Sequence, residues 1–256
     1  MIKIPPKLNL NIFTRANKKP LAHPTFKTAT SDGYVMHSDM PVAYKDGTAT
    51  LTTCCNATGQ EYADHEILTQ VTDTSGSVLG YYTYSIDPIE RKISYGILQT
   101  YPDFRSKGVG EIMRLSSLME LKENFIKAIE IDSLENAVPF HAKYKFLPDI
   151  KQRSLALGFL DQIAKNPKIK KKYSKKAQEL SFEISNGDEC NPLTRNEAKK
   201  VNKFILKYIK AHKANWQDAK FNDDQYLPMI LTKDKIKSFS QFFNKLFKKH
   251  GIDYTV

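Results

Sequence analysis

The stretch that decides the fold is Tyr101-Pro-Asp-Phe-Arg105-Ser-Lys-Gly108-Val-Gly110-Glu-Ile-Met113. A β-rich run, Arg91 to Thr100, precedes it. After it the apolar residues fall at Ile112, Met113, Leu115, Leu118, Met119 and Leu121, which makes one face of a helix ending near Asn124. Strand, glycine loop and helix therefore follow one another directly. The first N–H groups of a helix have no intrahelical acceptor, and the helix end that carries them is positive. Such an end suits a phosphate or pyrophosphate. Gly108 and Gly110 remove side chains that would block a close approach, and Arg105 and Lys107 add positive charge. The loop is not a Walker A loop, which needs Gly-x4-Gly-Lys-Ser/Thr. Nor is it a dinucleotide loop, because Glu111-Ile112-Met113 supplies no third glycine. Taken alone, the loop is equally consistent with a glycine turn that merely starts a helix.

Outward from the loop, the period of the sequence is that of strands on the N-terminal side. Residues 47–53 (GTATLTT), 66–73 (EILTQVTD) and 78–87 (VLGYYTYSID) are β-rich, and Thr74-Ser-Gly-Ser77 makes a hairpin turn between the last two. With 91–100 they predict an antiparallel meander. On the C-terminal side, 127–132 (KAIEID) predicts a strand. Residues 136–144 predict a helix with Pro139 near its start, and Phe146-Leu147-Pro148 returns to extended structure. Runs of strands followed by packed helices give an α+β class.

The combination resembles the GNAT acetyltransferases. Arg105-Ser-Lys-Gly108-Val-Gly110 is similar to that family's Arg/Gln-x-x-Gly-x-Gly/Ala loop. Gly96 to Phe104 is similar to its fourth strand and loop entry, and Ile129-Glu-Ile-Asp132 to its fifth strand. Asn136-Ala-Val-Pro-Phe140-His141-Ala-Lys143-Tyr144-Lys145-Phe146 resembles its following helix and exit. The resemblance covers about 80 residues, between Glu66 and Pro148. It implies a mixed central sheet with flanking helices, and transfer of an acetyl group from acetyl-CoA to an amine by direct attack. It implies that backbone groups of Leu98 and Thr100 pair with the pantetheine in a gap between the fourth and fifth strands. It implies that the amides of Arg105, Ser106, Lys107, Gly108, Val109 and Gly110 hold the pyrophosphate, with Asn136 contacting the cofactor. His141 stands where the family has a tyrosine that protonates the departing thiolate, and Tyr144 is the reserve donor. Asp132 is a candidate for orienting the amine, against the simpler reading of a carboxylate that caps the next turn. Departures from the family pattern are Ser106 and Lys145 in place of glycines, and the lack of a clear helix pair before the hairpin.

Composition and charge set the rest. With 41% hydrophobic and 26% charged residues the chain suits a soluble globular protein, and no apolar run is long enough for a membrane span. The N-terminus does not read as a signal peptide. Cys54, Cys55 and Cys190 form no Cys-x-x-Cys pair, which argues against zinc and for free thiols in the cytoplasm. Residues 1–150 hold 16 Lys+Arg and 17 Asp+Glu; residues 151–256 hold 23 and 11. The organisation expected is an irregular arm over 1–40, an acetyltransferase domain over 41–150 and a basic helical extension over 151–256. Helices are expected at Ser154–Ala164, Asn196–His212 and Lys233–His250, the second opened by a Thr194/Glu197 capping box. The run 165–176 reads as a basic linker. Trp216 and Phe239, Phe242, Phe243 and Phe247 read as core. An extension of this charge either presents a solvated lysine surface or docks RNA or a ribosome. A domain that binds acyl-CoA without catalysis is the other alternative.

Overall fold

A computed structural model gives the fold and describes residues 21–28, 35–56, 65–87, 89–134, 137–187, 190–212 and 226–256. Asn136 and Trp216 lie outside the described residues. A small hairpin, β1 (Phe26–Thr28) and β2 (Val35–His37), comes first. Then β3 (Met40–Tyr44), β4 (Gly47–Asn56), β5 (His65–Asp73), β6 (Val78–Asp87) and β7 (Lys92–Thr100) form the antiparallel meander. The β5–β6 turn is closed by the Asp73 carboxylate, which accepts from the backbone N–H groups of Ser75 and Ser77 at 2.8 and 2.9 Å. Gly76 takes the left-handed conformation there, with φ 89°.

Helix α1 (Val109–Glu123) carries the chain back so that β8 (Ala128–Ser133) lies parallel to β7. Sequence periodicity gives α1 one apolar face, but the structure buries it almost all round. Glu111, Arg114, Ser116, Ser117 and Glu120 are as buried as Ile112 and Leu118. The sheet packs on one side of α1, and the β1–β2 hairpin and C-terminal elements on others. Its polar groups therefore need internal partners. His37 Nε2 lies 2.7 Å from Ser116 Oγ and 2.7 Å from Thr53 Oγ1. Burial pushes the Glu120 carboxyl well above its ordinary range, which keeps it neutral in this core.

After β8 come α2 (Val138–Lys143) and β9 (Leu147–Pro148), then three helices: α3 (Arg153–Lys165), α4 (Lys171–Ser185) and α5 (Arg195–Ala211). The run expected as a linker, 165–176, contains the start of α4. Arg153 ties the three helices together. Its guanidinium donates to both oxygens of Glu197, at 3.0 and 2.9 Å, and to the Ile184 carbonyl. The Thr194/Glu197 capping box is present at the start of α5.

The chain then returns to the sheet. Strand β10 (Leu227–Thr232) inserts between β8 and β9, giving the order β3-β4-β5-β6-β7-β8-β10-β9. Its alternate residues Leu227, Met229 and Leu231 are buried. Leu227–Thr232 is thus part of the same sheet, and the sheet crosses the boundary expected near residue 150. The helix expected over Lys233–His250 is two, α6 (Lys233–Ser238) and α7 (Ser240–Lys249), broken at Phe239. Phe243 and Phe247 are fully buried, Phe239 and Phe242 partly so. Gly251 follows α7 with φ 73°. Among the described residues no helix is long and apolar enough to cross a membrane.

Candidate functional site

Strands β7 and β8 pair at only two positions, Lys92↔Ala128 and Ile93↔Ile129. Just beyond, the β6–β7 register shifts. Thr83 faces Ile97 and Ser85 faces Ser94, so Tyr95 and Gly96 together oppose Tyr84. That is a bulge on β7, and a bulge bends its strand and ends local pairing. Gly96 is required there, because a Cβ would lie 2.6 Å from the Thr83 carbonyl and 2.7 Å from the Tyr82 ring. From residue 94 onward β7 and β8 therefore diverge and leave a gap between them.

The glycine loop stands at the end of β7. A 3-10 turn, Pro102–Phe104, leads into it, and Arg105 N–H closes that turn on the Pro102 carbonyl. Ser106 and Gly108 both take positive φ, 61° and 98°. Gly108 caps α1. The N–H groups of Ser106, Lys107, Gly108, Val109, Gly110 and Glu111 donate to no acceptor among the described residues. A run of unpaired N–H groups at a helix start makes a concave anion site. Gly110 seats the loop against the strand end: a Cβ there would lie 3.3 Å from Thr100 Oγ1 and 3.4 Å from the Phe140 ring. Arg105 is exposed and its Nε donates to the Thr100 carbonyl at 3.4 Å. Lys107 pairs with Asp46 at 2.6 Å, and Val109 is buried. Leu98 and Thr100 are half-buried on β7.

The three candidate catalytic side chains occupy different environments. His141 is buried, with its ring edge-on to Phe140 and Phe146. Its Nδ1 lies 3.5 Å from the Arg114 guanidinium, which only donates, so Nε2 carries the hydrogen. Burial first, and then the Arg114 charge, lowers the His141 pKa well below the ordinary histidine range. The ring is a neutral imidazole, not the imidazolium that a histidine acid requires. Arg114 itself is buried between the Tyr82 and Phe146 rings, 4.9 and 4.8 Å from their centres, and donates to the Tyr82 hydroxyl at 3.1 Å. The Tyr144 ring packs on Phe140 as well, with ring centres 4.8 Å apart. Its hydroxyl donates to Glu111, and burial followed by that bond raises its pKa far above the ordinary tyrosine value. Asp132 is exposed on the opposite side of β8 from buried Ile131. It lines an open cavity of about 640 Å³ with Asp87, Lys92, Glu130 and Tyr226.

Sequence reasoning passed over Glu111, the residue that organises the back of the loop. It is 3% exposed in the first turn of α1. Its oxygens accept from His250 Nε2 at 2.6 Å, Lys249 Nζ at 2.5 Å, Lys143 Nζ at 3.4 Å and the Tyr144 hydroxyl. Burial alone raises a carboxyl, but these donors outweigh it and hold Glu111 far below the carboxylate range. The signal in the sequence was only an acid in a first helical turn, and its partners come from residues more than 30 positions away.

No protein-family model matches the chain, and no curated protein matches its sequence. Solved structures overlap it in part. An N-acetyltransferase from Staphylococcus aureus Mu50 shares 20% identity over 34% of this chain and 57% of that one, with a TM-score of 0.30. A spermidine/spermine N-acetyltransferase from Vibrio cholerae shares 18% over 35% and 56%, with a TM-score of 0.31. A nourseothricin acetyltransferase shares 16% over 53% and 74%, with a TM-score of 0.32. The chain spans little more than half the length of the first two. The chain's own strand order, gap, loop and helix make the mixed central sheet with flanking helices, of α+β class, that the sequence predicts.

The Glu111 carboxylate should show in acid stability. A carboxyl depressed by folding contributes stability that is full above its unfolded pKa near 4.5 and is lost as pH falls through the folded value. Glu111→Gln is expected to lose about 1–3 kcal/mol at pH 7, the cost of unmaking charged hydrogen bonds. The difference from wild type should shrink on acidification below pH 4.5. Urea unfolding at a series of pH values measures it; a difference independent of pH contradicts this assignment.

Proposed function

We propose that the chain is a GNAT-superfamily N-acetyltransferase that moves an acetyl group from acetyl-CoA to an amine by direct attack. The observation that carries this reading is the row of unpaired N–H groups from Ser106 to Glu111 at the mouth of the β7–β8 gap. On this reading the row, with Arg105 beside it, holds the pyrophosphate. The exposed backbone of β7, at Leu98 and Thr100, pairs with the pantetheine. Asp132 takes the acceptor amine from the open side of the sheet. A cytoplasmic setting agrees with Cys54, Cys55 and Cys190, which form no disulfide.

The loop is tested by Gly110→Asp, which sets a carboxylate among the N–H groups and against Thr100 and Phe140. Calorimetry should show acetyl-CoA binding abolished while circular dichroism shows the fold kept. Wild-type affinity in a folded variant would refute the reading.

In direct attack the amine nitrogen bonds to the acetyl carbon, the C–S bond breaks, and the proton that the amine loses ends on the CoA sulfur, so the neutral His141 ring supplies no net proton. As a neutral ring its Nε2–H can donate a hydrogen bond to the departing sulfur, as preorganised donors do at developing negative charge. Tyr144 is committed to Glu111 and serves the loop. His141→Ala is therefore expected to lower kcat by about 10² with acetyl-CoA affinity unchanged. Steady-state kinetics with free-thiol detection gives both numbers, and an unchanged kcat removes His141 from the reaction. The neutral state of His141 also favours a second reading, an acyl-CoA-binding module without turnover. Absence of thiol release across a broad amine panel, with tight acetyl-CoA binding, would establish it.

The insertion between β9 and β10 supports one partner. Residues 151–212 hold 15 Lys+Arg and 6 Asp+Glu. On α5 the residues Lys199, Lys200, Lys203, Lys207 and Lys210 are all exposed at helical spacing, while the only acid of that helix, Glu197, is engaged by Arg153. A surface of this kind fits the phosphate backbone of RNA, including ribosomal RNA. Binding to a generic RNA should then fall steeply with salt and weaken in a Lys199/Lys203/Lys207→Ala triple variant. Binding that is absent at low salt leaves these lysines a solvated face.

A further inference from the structure

The last helix meets the glycine loop at a joint that the acetyltransferase reading does not itself require. His250, just past α7, is 1% exposed. Its Nδ1 lies 2.6 Å from the Ala43 carbonyl and its Nε2 lies 2.6 Å from Glu111 Oε1. Both partners are oxygens that accept, so both bonds are made when both ring nitrogens carry hydrogen. The backbone closes the same joint: Ala43 N–H donates to the His250 carbonyl at 2.9 Å, and Lys45 N–H donates to the Lys107 carbonyl at 2.9 Å. The end of β3 therefore holds both the end of α7 and the middle of the loop. Gly108 completes the contact, since a Cβ there would lie 2.9 Å from His250 Cε1.

The charges at this joint have a direct bearing on anion binding. Glu111 puts a buried negative charge in the first turn of the helix whose N–H groups would take a phosphate. Left alone, it would oppose the positive end of α1 and repel the ligand. His250 and Lys249 from the C-terminal segment answer that charge, and Lys143 from α2 adds to them at 3.4 Å. The side chains of Lys143 and Lys249 are more than half exposed, so His250 is the buried partner that solvent and salt do not screen.

We propose that His250 is a positioning residue of the cofactor site, by which the C-terminal helix props Gly108, balances Glu111 and sets the aim of the N–H row from Ser106 to Glu111. The proposal rests on reading that row as the acyl-CoA phosphate site. His250 touches neither the acyl group nor the amine on this arrangement, so its loss acts on cofactor affinity and leaves the chemical step alone.

Two measurements on the full chain test it. In the first, His250→Ala should raise the acetyl-CoA Kd and KM tenfold or more while kcat stays within about twofold. Adding Glu111→Gln to that variant should recover at least threefold of the lost affinity, because the unbalanced carboxylate is gone. A merely structural role predicts that the second substitution makes matters worse. In the second, trypsin is applied to the ligand-free protein, and cleavage after Arg105 or Lys107 should speed up tenfold or more while the thermal midpoint moves little. Unchanged affinity together with unchanged cleavage overturns the proposal. Weakened binding that Glu111→Gln does not restore, with cleavage rising everywhere alike, overturns it as well. If His250→Ala fails to fold, His250→Gln, which keeps one donor, is read by the same criteria. Failure of the wild-type chain to bind acetyl-CoA would refute the acetyltransferase reading instead, and the trypsin measurement then decides the joint by itself.

Discussion

Parallel pairing between β7 and β8 ends after Ile93 and Ile129, and the rest of the structure is arranged around that interruption. A sheet that stops pairing part-way leaves N–H and C=O groups without partners, which costs free energy unless something else satisfies them. The chain makes the interruption a fixed feature. The Tyr95-Gly96 bulge bends β7 outward while β6 still holds it on the other side. On the far side β8 keeps full antiparallel pairing with β10 over Leu227↔Ser133 to Thr232↔Ala128. Each strand bordering the gap is thus anchored by its outer neighbour.

Helix α1 begins shortly after β7 ends, so its unpaired N–H groups lie near that strand end, and its body packs on β5, β6 and β7. The cost is a helix whose polar side chains are buried. The protein meets it with separate clusters along the helix: Glu111 with His250, Lys249 and Tyr144, then Arg114 with Tyr82, Phe146 and His141, then Ser116 with His37 and Thr53. The first lies against the loop and the second beside α2. In both, a residue that resembles a catalytic group by position is also engaged in neutralising or packing a buried ion. The same burial that stabilises α1 makes His141 neutral and keeps the Tyr144 hydroxyl on Glu111.

The helical insertion between β9 and β10 leaves this design intact because its ends meet at neighbouring strands. Lys151 and Leu193 are joined by a backbone hydrogen bond at 2.8 Å, and Asp149 N–H donates to the Pro228 carbonyl at 2.8 Å. The chain leaves the sheet at β9 and re-enters one strand away. Its three helices carry their own tie in Arg153 and Glu197 and add a strongly basic surface without touching the loop's chemistry.

The sequence by itself determined the parts whose physics is local. Alternation with a period of two set β5 and β6 almost to the residue, and Asp73 with Gly76 set the turn between them. Gly108 and Gly110 marked the loop, and the Thr194/Glu197 pair marked the start of α5. Only the tertiary structure decided that Leu227–Thr232 is a strand of the sheet, between β8 and β9, and not part of a helical tail. A short run of Leu, Met and Ile carries no label for the strand it will pair with, and here the partner lies about a hundred residues earlier. The same holds for Glu111 and His250, which are 139 residues apart. Neither has a neighbour in sequence that announces the other. Their meeting depends on the sheet order, and the sheet order is a property of the whole packed chain.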